Sequence, residues 1–306
     1  MIPPYSNRGV YPPGGSGIGV GTLEGIDAYN CTVYANPDML FDELTCLLES
    51  AGLEPKQEVG PPIKFYARNL LLLAPTGHRL LQVRAGGTNP HPFVEVKGEV
   101  SQLVAQYIRD HFGHHPSRID HALDRRGAGL FNKLARLLRS LAGRYRLKFE
   151  PRGDWVTADA GRTIYLGSRQ SQVFLRVYEK GLKYAHELGL EVTLELRERV
   201  RVELEFKPQN MKARLLATTI TPAQMWGSSQ WTAELANGVL SIGAEAVKIR
   251  ERRESNRDRA LRFMACQYRA HLESLLVECG RDVPEFGLAI AELADIGADY
   301  TERSKR

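Results

Sequence analysis

The stretch "VRVELEFK", Val200 to Lys207, alternates without a break: Val200, Val202, Leu204 and Phe206 are apolar, and Arg201, Glu203, Glu205 and Lys207 are charged. Successive side chains leave a strand on opposite sides, so a period of two marks a β-strand with one face on a core. The chain must therefore build a sheet that is apolar on one side and polar on the other. Two other segments obey the same rule. In "SRIDHALD", Asp120, Ala122 and Asp124 share one face while Ile119, His121 and Leu123 share the other. In "TIYLGSRQSQVFLRVYEKG", Thr163 to Gly181, Phe174, Arg176 and Tyr178 alternate with Val173, Leu175 and Val177, and Lys180 follows in phase.

Around these strands the pattern changes between periods of two and 3.6. "IDAYNCTVYA", "PFVEVKG" and "YRLKFEP" have strand composition, and "PTGH" joins two apolar runs as a hairpin. "PDMLFDELTCLLESAGL", "EVSQLVAQYIRDHFG" and "GLFNKLARLLRSLAG" have helical spacing, the first with Pro37 at its start and Gly52 at its end. Sheet and helices are thus interspersed as far as Pro208, an α+β fold. From Asn210 the pattern is helical, with one long helix over Asn256–Gly280 and another in "VPEFGLAIAELADIGADY", and with Thr221–Gly243 hardest to assign. Three regions are expected: a flexible Pro/Gly-rich tail over 1–25, a sheet domain over 26–209, and a helical C-terminal region over 210–306.

With 43% apolar and 25% charged residues the chain is an ordinary globular one, not a disordered one. A net charge of +5 favours an anionic partner. Cys31, Cys46, Cys266 and Cys279 have neither metal spacing nor the density of a disulfide framework, so reduced thiols in a cytosol are expected. "NLLLLAP" is too short to span a membrane and the N-terminus lacks the apolar core of a signal peptide, so the expected location is cytoplasmic.

The chemistry available lies on the polar strand faces. Asp120 and Asp124, on the same face of one strand, can hold a hard divalent cation, and Glu203 and Glu205 can complete such a site if the strands are neighbours. The bland alternative is a charge-laddered surface. Tyr178 is flanked in phase by Arg176 and Lys180, cations that favour a phenolate, and Arg169 can contact a phosphate. "HFGHHP" (His111, His114, His115) suggests a metal, but it closes a helix, where histidines also suit the dipole.

Taken together, and in this order, "SRIDHALD", "TIYLGSRQSQVFLRVYEKG" and "RVRVELEFK" resemble the Rep_trans family, the replication initiators of rolling-circle plasmids and filamentous phages with related relaxases of integrative elements. The resemblance covers most of the chain from Ile26. It implies a central, mainly antiparallel sheet with flanking helices, and origin-specific nicking in which a tyrosine becomes joined to the 5′ phosphate and frees a 3′ hydroxyl. It implies Tyr178 as nucleophile, with Tyr184 as its rival and Tyr165 a further candidate. Asp120 and Glu203 would be ligands of Mg²⁺ or Mn²⁺, and Asp124 and Glu205 additional or alternative ones. Arg169, Arg176 and Lys180 would hold phosphates, with Ser168 and Ser171 near backbone or DNA. Origin DNA, single-stranded or as a hairpin, is the implied partner, with a host helicase or a second copy of the chain as further ones. No His-hydrophobic-His pair is present, so the metal would rest on carboxylates. A hydrolytic, metal-dependent nuclease and a non-cleaving DNA-binding protein of the same fold stay open as alternatives.

Overall fold

In a computed structural model of the chain, residues 24–157, 159–247 and 256–295 are described, so the tail expected over 1–25 falls almost wholly outside them. Among these residues, ten strands form one sheet: β1 (Glu24–Val33), β2 (Lys56–Gly60), β3 (Arg68–Leu73), β4 (Arg79–Ala85), β5 (Phe93–Lys97), β6 (His114–Arg126), β7 (Phe149–Gly153), β8 (Arg162–Leu166), β9 (Val173–Tyr178) and β10 (Arg199–Phe206). Their spatial order is β2-β3-β4-β5-β1-β6-β10-β9-β8-β7. Every neighbouring pair is antiparallel. The mainly antiparallel α+β fold expected from the sequence is therefore the fold found. The three alternating segments, β6, β10 and β9, lie side by side at its centre.

Helices cover the apolar face. α1 (Pro37–Ser50) starts where the Asn36 side chain accepts hydrogen bonds from the Asp38 and Met39 backbone, with Pro37 in the first turn. α2 (Ser101–His111) and α3 (Leu130–Tyr145) bury Val104 and Ile108, and Phe131, Leu134, Leu138 and Leu141, respectively. These side chains join one core with Ile119, Leu123, Ile164, Leu175, Val177, Val202 and Leu204 from the sheet. Each such leucine or phenylalanine contributes about 1.5–3 kcal/mol by leaving water. α4 (Lys180–Leu188) and α5 (Leu194–Arg197) fill the connection from β9 to β10. Gly181 is required there, because a Cβ would stand 1.9 Å from the Leu196 carbonyl oxygen.

Three short helices follow the sheet: α6 (Met211–Ala217), α7 (Pro222–Trp226) and α8 (Gln230–Leu235), then a single wide turn over Ala236–Leu240. Their shortness explains why this region lacks a clear helical period. Trp226 and Trp231 are buried in the same core as the sheet, and the first compact unit extends to Ile249. The second unit, from Arg250, holds α9 (Asn256–Gln267), α10 (Arg269–Glu278) and α11 (Val283–Leu293). The single helix expected over Asn256–Gly280 is interrupted at Tyr268. Bonds from Tyr268 N to Met264 O and from Leu272 N to Tyr268 O persist, so the break is a kink and not a turn.

Candidate active site on the polar sheet face

The register of the central strands decides which polar side chains meet. Glu205 pairs with Asp120 on one side and Phe174 on the other; Glu203 lies between Ala122 and Arg176; Arg201 lies between Asp124 and Tyr178. One strand further out, Tyr165 pairs with Arg176 and Thr163 with Tyr178. The alternation seen in three separate segments thus becomes one continuous polar surface. It is not a solvated ladder: Asp120 is 1% exposed and Glu203 2%. Charges that deep must be paired, because an isolated buried carboxylate is very costly.

Pairing sorts the carboxylates into two groups. In the first, Arg118 donates Nε to Asp120 at 2.7 Å and its Nη2 lies 3.0 Å from Glu205. Arg176 Nη2 bonds to Asp120 at 2.9 Å and also to Glu203, and lies 3.7 Å from Glu205. Asp120, Glu203 and Glu205 therefore converge on one guanidinium nitrogen. In the second group Asp124 is held by Arg201, at 2.5 and 3.1 Å, and by Arg199 at 2.6 Å. Arg201 also donates to Asp27 at 2.9 Å. Asp27 reaches it from an irregularity in β1 between Ile26 and Ala28. Of the four carboxylates expected to share a metal, three converge and Asp124 belongs to a different ion-pair group.

The electrostatics follow from burial and charge count. Burial, helped by the nearby Asp120 charge, pushes the Glu203 carboxyl up to about 8 against the pull of Arg176. Burial also acts to raise Glu205, but Arg118 and Lys207 outweigh it and hold that carboxyl below its usual range. Tyr178 is pushed above the ordinary phenol value, first by burial and then by the Glu203 charge, with Arg201 and Arg176 opposing too weakly. Lys180 is lowered by burial and by Arg201. In this arrangement Arg176 is committed to carboxylates and Tyr178 is a neutral phenol, so the phenolate that flanking cations suggest is not the resting state. Lys183, from the next turn, lies over the Tyr178 ring at 5.5 Å.

The remaining candidates separate clearly. Arg169 lies over the rings of Tyr165 and Phe174, at 4.9 and 5.2 Å, and those two rings stack. Ser168 and Ser171 shape the β8–β9 turn: the Ser171 hydroxyl donates within it, to Ser168 O or Val173 O, and Ser168 Oγ accepts from Gln170 N. Tyr184 sits on α4 and not on the strand face. His114 is buried against Tyr29, and His111 stacks on Tyr107, so the histidine run is packing. His121 faces the core, opposite Asp120, accepts from Trp226 Nε1 at 3.1 Å and is lowered by burial to about 4.

Arg118, Arg201 and Asp27 are site residues that the sequence reading passed over. Arg118 is in phase with Asp120, and Arg201 with Glu203, so the same alternation carried the signal. Asp27 had none, since a local irregularity in β1 aims it.

Among the described residues, no three His, Cys, Asp or Glu side chains are grouped so as to hold a metal ion. Arg176 Nη2 stands where Asp120, Glu203 and Glu205 meet. In kind, three carboxylates are the donor set a hard divalent cation takes.

Comparison with known proteins bears on the same segments. No curated protein sequence matches the chain. A solved rolling-circle replication initiator protein from Geobacillus stearothermophilus is 16% identical over 78% of this chain and 90% of that one, with a TM-score of 0.45, a likeness too loose to position any residue. The family model described as replication initiation factor matches residues 116–272, just over half of the chain, spanning β6, β9 and β10. The chain belongs to the Rep_trans family of replication initiation factors.

Proposed function

We propose that this protein initiates rolling-circle replication by nicking one origin strand through Tyr178 and later rejoining it, with residues 26–209 carrying the reaction. The observation that carries this reading is the placement of Tyr178 on the same sheet face as the Asp120–Glu203–Glu205 convergence, one strand position from Arg176. In the nicking step Tyr178 Oη attacks the phosphorus. The bond from phosphorus to the 3′ oxygen breaks, and the 5′ phosphate stays on the tyrosine. The tyrosine proton is lost and the departing 3′ oxygen gains one, so charge and atoms balance. Rejoining is the reverse.

Asp120, Glu203 and Glu205 are the residues that would hold Mg²⁺ or Mn²⁺. Such an ion, when bound, supplies a positive charge beside the phosphate oxygens. The protein's own contributions are distinct. Arg176 Nε is buried without an acceptor among the described residues, and a phosphate oxygen would satisfy it. Arg201 and Arg176 are the cations that lower the cost of the Tyr178 phenolate. Arg169, exposed at the mouth of the β8–β9 turn, would hold the strand beyond the scissile bond.

The test is Tyr178→Phe beside the unchanged protein, incubated with single-stranded candidate-origin DNA and Mn²⁺. A protein–DNA adduct on Tyr178, absent in the variant and in EDTA, is the expected result, read by denaturing gel and mass spectrometry. Cleavage persisting in the variant without an adduct would replace transesterification by a hydrolytic nuclease. An adduct on Tyr184 would move the nucleophile and keep the reaction. Binding without cleavage across all candidate origins would favour a non-cleaving initiator of the same fold.

A further inference from the structure

Between Arg125 and Arg152 the chain carries nine lysines and arginines and one acidic residue, Glu150. Ion pairs take up five of the nine: Arg125 with Glu24, Arg126 with Glu195 and Glu198, Arg144 with Glu234, and Lys148 and Arg152 with Glu150. Lys133, Arg136, Arg139 and Arg146 are exposed and have no carboxylate partner among the described residues. The first three lie on α3, whose opposite face is locked into the core by Phe131, Leu134, Leu138 and Leu141. The cations are therefore displayed on a rigid element. Arg139 is steadied further by lying over the Phe149 ring at 5.4 Å. Beside it opens a shallow groove of about 330 Å³ lined by Asn132, Ala135, Arg136, Arg139, Phe149 and Trp155.

α3 packs on the apolar face of the sheet, and Tyr178 stands on the polar face. The strand held at Tyr178 cannot reach α3 without passing round a ten-stranded sheet. We propose that the outward face of α3 binds the phosphate backbone of duplex DNA flanking the segment that is cut. This rests on the reading of the protein as an origin-nicking initiator. A row of unpaired cations on a helix, with an asparagine and no carboxylate among the groove's lining residues, complements a polyanion. From Lys133 to Arg146 it extends about 20 Å at 1.5 Å per residue. Duplex DNA carries one charge per about 1.7 Å of axis, so several phosphates fall within that reach. Contacts of this kind position DNA without reading its sequence.

The experiment compares the full chain with the Lys133→Gln/Arg136→Gln/Arg139→Gln variant and with Arg136→Lys/Arg139→Lys. Labelled duplex of about three helical turns and single-stranded DNA of equal length are titrated by anisotropy over a series of KCl concentrations. Three lost phosphate contacts should flatten the slope of log affinity against log salt by about 2.7, at about 0.9 per contact, and weaken duplex binding by roughly 100-fold or more at about 0.1 M salt. The lysine variant should keep the slope, and adduct formation at Tyr178 on a single-stranded origin should match the unchanged protein in both. An unchanged duplex slope in the glutamine variant would overturn the proposal. So would a loss confined to single-stranded DNA, which would make α3 a single-strand track. Failure of adduct formation in every form would strike the nicking reading alone, since duplex binding is measured apart from it.

Discussion

Glu203 offers a test of the buried charge network that needs neither DNA nor metal. Asp120, Glu203 and Glu205 face Arg118 and Arg176, with Lys207 on Glu205, and the proton of this group sits on Glu203, whose carboxyl is pushed up to about 8 by burial, helped by Asp120. In the unfolded chain the same group ionises at its ordinary value of about 4.3. Between those two values the native state binds one more proton than the unfolded state. The stabilising contribution is therefore complete below about pH 4, declines through the window, and is gone above about pH 8. While the native group is protonated and the unfolded one ionised, the slope inside the window is about 1.4 kcal/mol per pH unit. Glu203→Gln keeps the size and polarity of the protonated form but cannot titrate. Thermal unfolding in EDTA at a series of pH values should show the unchanged protein losing roughly 2–3 kcal/mol relative to the variant between about pH 5.5 and 7.5. For a unit of this size that is roughly 5–11 °C of differential shift. Titrating groups outside this network are common to both proteins and cancel in the difference. A gap in melting temperature that stays constant within about 1 °C over that range would refute a protonated, buried Glu203.

Other perturbations probe the neighbouring parts. Arg201→Met leaves Asp124 and Asp27 without their shared buried partner, though Arg199 still reaches Asp124 at 2.6 Å; a loss of about 3 kcal/mol is expected in urea unfolding. Gly181→Ala brings a Cβ against the Leu196 carbonyl at 1.9 Å, so α4 must shift from α5; about 1–3 kcal/mol of destabilisation is expected in urea, with weaker adduct formation at the adjoining Tyr178. Asp120→Asn and Glu205→Gln should each lower Mn²⁺ affinity in calorimetry, whereas Asp124→Asn should chiefly lower melting temperature.

Much of this site was legible because a strand has a period of two and the central strands obey it on both faces. Val200 to Phe206 announced the core side of β10, and the same alternation aligned Asp120, Arg176, Glu203 and Tyr178 before any pairing was known. What a period cannot give is register. Glu205 meets Asp120 and Arg201 meets Asp124 only because β6 and β10 pair at that offset, and a slip of two residues would have joined Asp124 to Glu203 or to a different arginine. The division of the carboxylates into three that converge and one that does not is a property of that offset. Asp27 was illegible for a different reason, since an irregularity in β1 turns a residue out of its expected phase. β2 was missed because its residues, Lys56 to Gly60, are mostly exposed on an edge and carry no apolar alternation.

The pairing also explains why flanking cations misled about Tyr178. Sequence phase counts Arg176 and Lys180 as positive charges beside the tyrosine, but a charge already spent on a buried carboxylate has little left to offer a phenolate. In the folded protein burial first and the Glu203 charge next raise the Tyr178 phenol, Arg201 and Arg176 do not offset them, and the neutral phenol is favoured. Whatever compensates Glu203 and Asp120 therefore acts on the tyrosine indirectly, by removing the opposing carboxylate charge and releasing Arg176. On the reading proposed above, the polar face is held in a self-paired state when no substrate is bound, and binding exchanges those internal ion pairs for contacts to phosphate. Arg176→Lys should expose this coupling. A lysine keeps the charge but cannot bridge Asp120 and Glu203 with a planar guanidinium while presenting a second nitrogen to a phosphate. Folding should be largely retained and adduct formation reduced by at least about tenfold, the loss of a charge-assisted hydrogen bond of about 1.5–3 kcal/mol. Wild-type adduct rates in that variant would mean that Arg176 only neutralises carboxylates and that the phosphate is held by other residues.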